Sequence, residues 1–487
     1  MLRKTGLLLL LGIAGVAAVV LVRTVLSRPD AVSVPPATPI PLDNEGAVQR
    51  FVGAIRIPTV SKSGQPPDQE AMGTLRDYLE QNFPRVHATM KREVLPDGAL
   101  LFTWTGRDPA QRPVILMGHM DVVPASAETL HEWKHPPFSG EVADGFIWGR
   151  GTLDDKIHVL SLLEAAESLI GQGFTPARTI LFAFGDDEEV GGQYGAQKIV
   201  QLLKDRGTQP EFVLDEGGLI VSGVVPGLSK PLAVVGTAEK GYLDVALSTT
   251  GRGGHSSEPP PHTAIGQLSA AITKLENNQF PSSMPSVIHD QYTTIAPYMP
   301  FSKRIFLANL WLFQPLVVIT SLSDPATAGS FRTSTAVTMI QGGFAENALP
   351  TSARANVNFR ILPGETRASV MERVRDTVKD PGVTVANAHV ADSHDPSIPA
   401  PLDSSGYKTL ALTIHQIFPD AIVAPNLLNA ATDSTFYTVL TPNVYRFMAV
   451  EGDNSVLAMI HGVNERIAPE KYLKTVQFTA QLIQNIR

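Results

Sequence analysis

The stretch PVILMGHMDVVP (residues 113–124) decides the fold, because it is typical of a buried strand that ends in chemically active residues. Its first half is an unbroken apolar run, as expected of a strand covered on both faces. Gly118, His119 and Asp121 follow directly. Residues 179–184 form a similar run that ends before four consecutive acids, and residues 212–214 end in Asp215. These strand ends predict one shared site, since ligands of α/β sheets gather at the carboxyl ends of strands.

Helical patterns alternate with these strands and predict the fold class. Helices are expected at 47–55, 157–170 and 407–417. The alternation predicts an α/β catalytic domain with a parallel-rich central sheet flanked by helices. From about Lys240 the pattern changes to half-exposed strands and short helices, which predicts an inserted α+β domain. Its expected strands lie at 242–249 and 355–361, and its expected helices at 264–275 and 368–378.

The predicted organisation has five parts. They are an N-terminal signal anchor or signal peptide at 1–27, a proline-rich linker at 28–43, the first part of the catalytic domain at 44–242, an inserted lid or dimerisation domain at 243–395, and the second part of the catalytic domain at 396–487.

The N-terminal segment predicts the compartment of the folded domains, which we call the body. Arg3 and Lys4 precede an apolar run at 6–22, which is near the short limit for a bilayer span. Positive charge before such a run favours a cytoplasmic N-terminus. The body is therefore expected outside the cytoplasm, membrane-anchored or secreted, and in the periplasm if the source is bacterial. Residues 301–322 are also apolar, but polar residues and Pro315 interrupt them, which favours an apolar surface or pocket over a second span.

The composition excludes several classes of function. The chain has 487 residues, a net charge of −8 and no cysteine. Without a basic patch it has no electrostatic footprint for nucleic acid, so none is expected as a partner. Without cysteine it has neither disulfides nor thiolate chemistry, so any metal must be held by His, Asp and Glu.

Each chemical motif also has an ordinary structural explanation. His119 alone is typical of a hydrogen-bonded histidine, and Asp154 and Asp155 alone are typical of helix N-caps. The four acids at 186–189 alone are typical of a solvated loop. As a set the motifs indicate a metal site, with Glu189 as a ligand and Glu188 as a free general base. Nitrogen and oxygen ligands without sulfur suit a hydrolytic zinc pair, for which the candidate ligands are His119, one of Asp154 and Asp155, Glu189, Asp215 and His461.

The order of these motifs resembles the di-zinc metallopeptidase family of aminoacylase-1, glutamate carboxypeptidase and carboxypeptidase S. The likeness is greatest to the branch of carboxypeptidase S and the secreted N-fatty-acyl-amino acid synthase/hydrolase. It extends from about residue 44 to the end, and includes the segments at 136–140, 253–257 and 311–313.

This resemblance implies a role for each site residue. His119 and Asp215 would hold one zinc ion, Glu189 and His461 the other, and Asp154 would bridge the two. Glu188 would be the general base, Asp121 would orient His119, and His255 would donate to the oxyanion. In dimeric relatives this histidine comes from the neighbouring subunit. Asn347 and Arg360 match positions that hold substrate.

The implied activity is hydrolysis of an amide or peptide bond next to a free carboxylate. The implied cofactor is two Zn²⁺ per chain, with cobalt or manganese as substitutes. Two substrates stay open: an N-acyl amino acid whose acyl group the apolar segment covers, or a short Gly-X peptide. A membrane-anchored, non-catalytic binding protein that retains the fold is the alternative from another class. A homodimer through the inserted domain is also implied.

Overall fold

A computed structural model describes residues 2–29, 33–390 and 393–487. Fifteen helices are assigned in these ranges: α1 Leu2–Leu26, α2 Asn44–Ile55, α3 Gln69–Asn82, α4 Pro84–Thr89, α5 Lys156–Gly171, α6 Ala196–Asp205, α7 Ala264–Asn277, α8 Ser286–Ile295, α9 Phe301–Leu307, α10 Leu310–Leu322, α11 Pro325–Ala328, α12 Arg367–Val378, α13 Ser405–Ile417, α14 Asn454–Leu457 and α15 Pro469–Asn485.

The strands of the same ranges form one large sheet, a second smaller sheet and two short ones. They are β1 Lys91–Val94, β2 Leu100–Trp104, β3 Val114–His119, β4 Glu141–Ala143, β5 Phe146–Trp148, β6 Ile180–Gly185, β7 Phe212–Asp215, β8 Ile220–Val221, β9 Leu232–Glu239, β10 Gly241–Thr250, β11 Gly254–His255, β12 Ser334–Gly342, β13 Ala348–Leu349, β14 Ser352–Ile361, β15 Val383–Asn387, β16 Ile422–Leu428, β17 Val444–Arg446, β18 Glu451–Gly452 and β19 Arg466–Ile467.

The large sheet confirms the predicted α/β class. Its ten strands run in the order β1-β2-β6-β3-β7-β17-β9-β8-β18, with β16 also paired to β9. The pairs of β3 with β6 and with β7 are parallel, whereas β2 pairs with β6 in the antiparallel sense. The sheet is therefore mixed, with its parallel part at the centre. Strands β3, β6 and β7 are buried at every position, which explains their unbroken apolar runs.

The smaller sheet lies within the predicted insert. Its order is β12-β14-β10-β15, all antiparallel, and helices α7 and α12 pack against it around a separate apolar core. The strands and helices predicted in this region are confirmed. The boundaries of the insert at 243 and 395 stay predictions.

The apolar segment at 301–322 folds as α9 and α10, which are bent by 108° relative to each other. Although it lies inside the predicted insert by sequence, it does not join the core of the smaller sheet. Val318 packs with Ala238 and Leu427, in strands β9 and β16 of the large sheet. By length and composition α1 could cross a membrane, and α9 with α10 would pass the same test if the bent pair were one span.

The described part of the proline-rich linker has no regular secondary structure, and it is bound to the folded domains. The backbone N–H groups of Thr38 and Ile40 donate to Gln481 Oε1 at 2.6 Å and Gln477 Oε1 at 3.0 Å, both on α15. Ile40 is buried in the main core. Residues 33–43 therefore fix the chain to α15 instead of forming a free tether.

Candidate metal centre

Three neighbouring strand ends and two loops bring six side chains into one cluster. We call it the acid–histidine cluster; it consists of His119, Asp154, Glu188, Glu189, Glu216 and His461. His119 ends β3, the two adjacent glutamates follow β6, and Glu216 follows β7. Because β3 lies between β6 and β7 and runs parallel to both, their carboxyl ends meet at one edge. Long-range sheet pairing is therefore what assembles the cluster.

Asp154 is the centre of the cluster. Its Oδ1 lies 3.0 Å from His119 Nε2, and its Oδ2 lies 3.0 Å from His461 Nε2. The same His461 nitrogen is 3.0 Å from Glu189 Oε2. One carboxylate with an imidazole on each oxygen is the arrangement expected of a ligand that bridges two cations.

Asp121 holds His119 from its other side. His119 Nδ1 is 3.0 Å from the Asp121 carbonyl and 3.3 Å from its Oδ1. The Asp121 carboxylate is buried and accepts from Ser61 Oγ at 2.6 Å and from the backbone N–H groups of Glu188 and Glu189 at 3.2 Å each. One carboxylate therefore fixes both the imidazole and the turn that carries the two glutamates.

The adjacent aspartates before α5 have separate roles. Asp155 stands at the N-cap position of α5, but its side chain makes no capping hydrogen bond. Its Oδ2 instead accepts from the backbone N–H of His119 at 3.1 Å. The N-cap explanation therefore does not account for this pair.

The charged groups of the cluster lie close enough to change one another's pKa values. Burial alone would lower the pKa of His119, but hydrogen bonds with Asp121 and Asp154 outweigh it and raise the pKa well above the usual range. Hydrogen bonds with Asp154 and Glu189 raise the pKa of His461 to about 10. Burial raises the pKa of Glu188 well above its usual range. The carboxylates thus favour positive charge at both imidazoles. A bound metal cation would supply positive charge at the same place.

The structure distinguishes Glu216 from Asp215, which sequence analysis named as a ligand. Ligand atoms of His119, Asp154 and Glu216 all lie within 4.8 Å of one another. Asp215 Oδ2 instead accepts from the backbone N–H of Ser434 at 2.9 Å. No group of three or more metal-ligating side chains found among the described residues includes Asp215. Its assignment as a ligand stays a prediction that this geometry does not support.

A buried ion pair stands behind Asp215 and Ser434. Arg446 Nη2 lies 2.5 Å from Glu239 Oε2, and both side chains are at most 1% exposed. Arg446 Nε donates to Ser434 Oγ at 2.8 Å. These contacts place Asp215 in a structural network next to the cluster. The sequence carried no signal that Glu239 and Arg446, more than two hundred positions apart, would form an ion pair.

The remaining predicted site residues lie away from the cluster. His255 and Asn347 are exposed neighbours, because Ser256 N–H donates to the Asn347 carbonyl at 3.0 Å. Arg360 lies with its guanidinium 4.6 Å from the Tyr242 ring centre, beside a cavity of about 390 Å³ that Lys240 and Arg332 also line. Among residues 2–29, 33–390 and 393–487, no hydrogen bond or ion pair joins His255, Asn347 or Arg360 to the cluster.

A second buried ion pair supports the loop of Asp154. Glu465 Oε2 is 2.6 Å from Arg150 Nη1, with side chains 0% and 2% exposed. Glu465 Oε1 accepts from the backbone N–H groups of Gly151, Leu153 and Asp154 at 3.0, 2.7 and 3.2 Å. The Glu465 carboxylate therefore accepts the hydrogen bonds of the turn that carries Asp154. The sequence did not reveal this role of Glu465.

We expect Glu465→Ala to lower the free energy of unfolding by about 3–5 kcal/mol, because Arg150 would stay buried without its partner. Urea unfolding followed by tryptophan fluorescence measures this, since Trp133 lies against Arg150. The matched control is Glu93→Ala, which removes the more exposed pair with Arg206 and should cost about 1 kcal/mol or less. Equal losses in the two variants would contradict the expectation.

The fold and the cluster together define a metal-dependent hydrolase. Imidazoles and carboxylates without sulfur, beside a carboxylate suited to general base chemistry, are the donor set of such enzymes. The chain belongs to peptidase family M20/M25/M40, whose family model matches residues 115–485.

Relatives of known activity cover nearly the whole chain. The N-fatty-acyl-amino acid synthase/hydrolase of Xenopus tropicalis is 41% identical over 90% of this chain and 85% of that protein. Carboxypeptidase S of Saccharomyces cerevisiae is 33% identical over 92% of this chain and 85% of that protein. The predicted family, and its predicted branch, are confirmed.

Solved structures confirm the fold. A metallo-carboxypeptidase of this family from Sulfolobus solfataricus aligns with a TM-score of 0.67 at 16% identity, over 90% of this chain and 99% of that one. Human carnosine dipeptidase 1 aligns with a TM-score of 0.62 at 16% identity, over 91% and 96%. The chain is a metallohydrolase, and the alternative of a non-catalytic binding protein is not supported.

Proposed function

We propose that this chain hydrolyses the amide bond of N-acyl amino acids that carry a long apolar acyl group. The observation that carries the proposal is the acid–histidine cluster, in which Asp154 joins His119 and His461 at 3.0 Å each and Glu188 lies 4.0 Å from His119. The identity of 41% to an N-fatty-acyl-amino acid synthase/hydrolase supports the acyl substrate. The identity of 33% to carboxypeptidase S supports a short peptide as the second candidate.

We propose two zinc ions as the cofactor, with cobalt or manganese as substitutes. His119, Asp154 and Glu216 would hold one ion, and Asp154, Glu189 and His461 the other, since each set has its ligand atoms within 4.8 Å. When bound, the ions would lower the pKa of a water molecule towards 7 and polarise the scissile carbonyl.

The protein's own groups would move the proton and hold the substrate. Glu188, whose side chain is 14% exposed, would accept a proton from the attacking water and give it to the leaving nitrogen. Asp121 would keep the His119 ring in one tautomer. Its hydrogen bonds to the backbone of Glu188 and Glu189 would hold the base and its neighbour in register.

His255 and Asn347 would act on the substrate from a second copy of the chain. Both are exposed, and β12 is the edge strand of the smaller sheet, with Met339 and Ile340 60% and 58% exposed. An exposed apolar edge is a ready surface for pairing with another chain. A homodimer through this sheet would then supply His255 as the oxyanion donor. Sedimentation of the full chain as a monomer at assay concentration would end this proposal.

Arg360 would bind the free carboxylate of the substrate. It lies in a cavity that two further cations line, so an anion there has favourable surroundings. We expect Arg360→Met to lower kcat/KM for an N-acyl amino acid by roughly 10- to 100-fold, the loss of one charge-assisted contact. The control substrate is the carboxamide of the same compound, for which the substitution should lower kcat/KM far less. Equal losses on the acid and on the amide would contradict the role.

We also propose that α1 is a signal anchor and that the body lies on the non-cytoplasmic side. Arg3 and Lys4 before the apolar run support this orientation. In a bacterial source the body would be periplasmic. A body exposed to the cytoplasm in a protease-protection assay would overturn this orientation.

The substrate is tested with compounds that share one leaving group. N-oleoyl-leucine, N-acetyl-leucine and an N-blocked Gly-Leu dipeptide all release leucine, so their kcat/KM values differ only through the acyl side. We expect the oleoyl compound to exceed both others by about 10-fold or more, since each buried methylene contributes ~0.8 kcal/mol. A chelator should abolish the activity and zinc should restore it. Preference for Gly-Leu would favour the peptidase, and chelator-resistant or equally poor turnover would refute both.

A further inference from the structure

Helices α9 and α10 carry an extended apolar surface that the catalytic cluster does not use. We call it the α9–α10 surface. Its large apolar side chains are between 36% and 65% exposed, namely Phe301, Phe306, Trp311, Leu312, Leu316 and Ile319. Helix α10 contains no charged residue. Patches of this kind on a folded chain mark a site for a partner or a lipid surface.

The α9–α10 surface is joined to α1 through a buried asparagine. Asn309, 0% exposed, donates to Thr24 Oγ1 at 3.0 Å and to the Val20 carbonyl at 3.3 Å. Its Oδ1 accepts from Trp311 Nε1 at 3.3 Å. Arg304 Nη1 donates to the Ser27 carbonyl at 3.4 Å, just beyond the end of α1. The bend between α9 and α10 is thus bonded to the C-terminal part of α1.

These bonds fix the depth of the α9–α10 surface relative to α1. The apolar stretch of α1 spans Leu7–Leu26, 20 residues, in which Val20 and Thr24 are buried. At ~1.5 Å per residue it is about 30 Å long, the thickness of a bilayer core. Val20 and Thr24 lie roughly 3–9 Å before its C-terminal end. A bilayer that holds α1 therefore meets Asn309 inside its outer few ångströms, the depth at which interfacial helices lie.

The chemistry of the segment suits that depth. Every polar atom of Asn309 is satisfied within the protein, as hydrocarbon surroundings require. Trp311 combines an apolar ring with a bonded N–H group, which is typical of side chains at the membrane boundary. Lys303 is exposed on α9, where a cation can reach lipid phosphates.

We propose that the α9–α10 surface inserts into the leaflet at the C-terminal end of α1, so that the enzyme lies against the bilayer. The partner is a phospholipid leaflet, because Asn309 bonds the bend of this surface to α1, which is long enough to span a bilayer. Residues 33–43 are bound to α15, which leaves no long tether in that described stretch to hold the body away.

The inserted surface is rigidly connected to the catalytic sheet. Val318 of α10 packs with Ala238 and Leu427, near the ends of β9 and β16. Glu239, the last residue of β9, accepts from Thr432 N–H at 2.8 Å beside the network of Asp215.

The absence of cysteine makes the test direct, since any single cysteine is a unique labelling position. The full chain is prepared as I319C, L312C and the control I398C, whose parent side chains are 65%, 40% and 83% exposed. Each is labelled with the polarity-sensitive fluorophore NBD and reconstituted through α1 into phosphatidylcholine vesicles. A parallel set of vesicles contains lipid with a nitroxide on the acyl chain, which quenches only fluorophores in contact with it.

We expect blue-shifted emission and strong quenching by the nitroxide lipid at both I319C and L312C, and neither change at I398C. All three proteins are held by the same α1, so the difference reports the α9–α10 surface alone. Emission at 319 and 312 like that at 398 would overturn the proposal, because the surface would then face water. A blue shift without quenching would overturn it as well, since protein, such as a second copy, would cover the surface.

Discussion

Replacing Glu188 with glutamine is expected to lower kcat by about 10³-fold while the metal content stays unchanged, the size of effect that general acid–base catalysis contributes. The change keeps the shape of the side chain but removes its ability to accept a proton. Glu188 lies 4.0 Å from His119 Nε2, at the edge of the cluster, while its backbone N–H is held by Asp121. The variant should therefore fold and bind metal normally.

The adjacent residue is the matched control for this prediction. Glu189 Oε2 lies 3.0 Å from His461 Nε2, and its Oε1 accepts from Val123 N–H at 3.3 Å. Glu189→Gln should therefore lose metal and activity together, whereas Glu188→Gln should lose activity alone. Elemental analysis of dialysed protein and single-turnover kinetics separate the two. If Glu188→Gln retains a large part of its activity with metal bound, another group is the base.

The contrast between these two glutamates shows how much the sequence could predict. The run at 186–189 follows a strand that is buried at every position, so a site at this strand end was predictable. What each acid does depends on the turn. Asp187 accepts from the N–H groups of Tyr194 and Gly195 at 2.8 Å each, and it is thus structural. The direction in which each of four consecutive carboxylates points is set by tertiary contacts, and no spacing rule specifies it.

The same limit applies to the position of the apolar segment. Its composition predicted an exposed or pocket-lining surface, and the structure exposes much of it. Its partner could not be predicted, because Asn309 bonds residues nearly three hundred positions earlier in the chain. The hydrophobic pattern of each element was readable, whereas pairing between distant elements follows from the packing of the whole sheet.

Exchanging Glu216 for glutamine is expected to remove one metal equivalent, while Asp215→Asn should retain both. Glu216 shares a set within 4.8 Å with His119 and Asp154. Asp215 Oδ2 is already occupied by Ser434 N–H at 2.9 Å. Burial raises the pKa of Glu216 well above its usual range, which a bound cation would reverse.

Metal titration of the two variants separates these assignments. Removing a direct ligand should lower the metal affinity of one site by more than about 100-fold. Even residues that only hydrogen-bond a ligand typically contribute 10- to 100-fold to metal affinity. Asp215→Asn keeps an acceptor for Ser434 N–H, so its effect should be a modest loss of stability with metal stoichiometry intact. Loss of a metal equivalent from Asp215→Asn alone would restore Asp215 as the ligand. It would then require the Ser434 hydrogen bond to break when the cation binds, which a shift of the Ser434 amide resonance on metal addition would reveal.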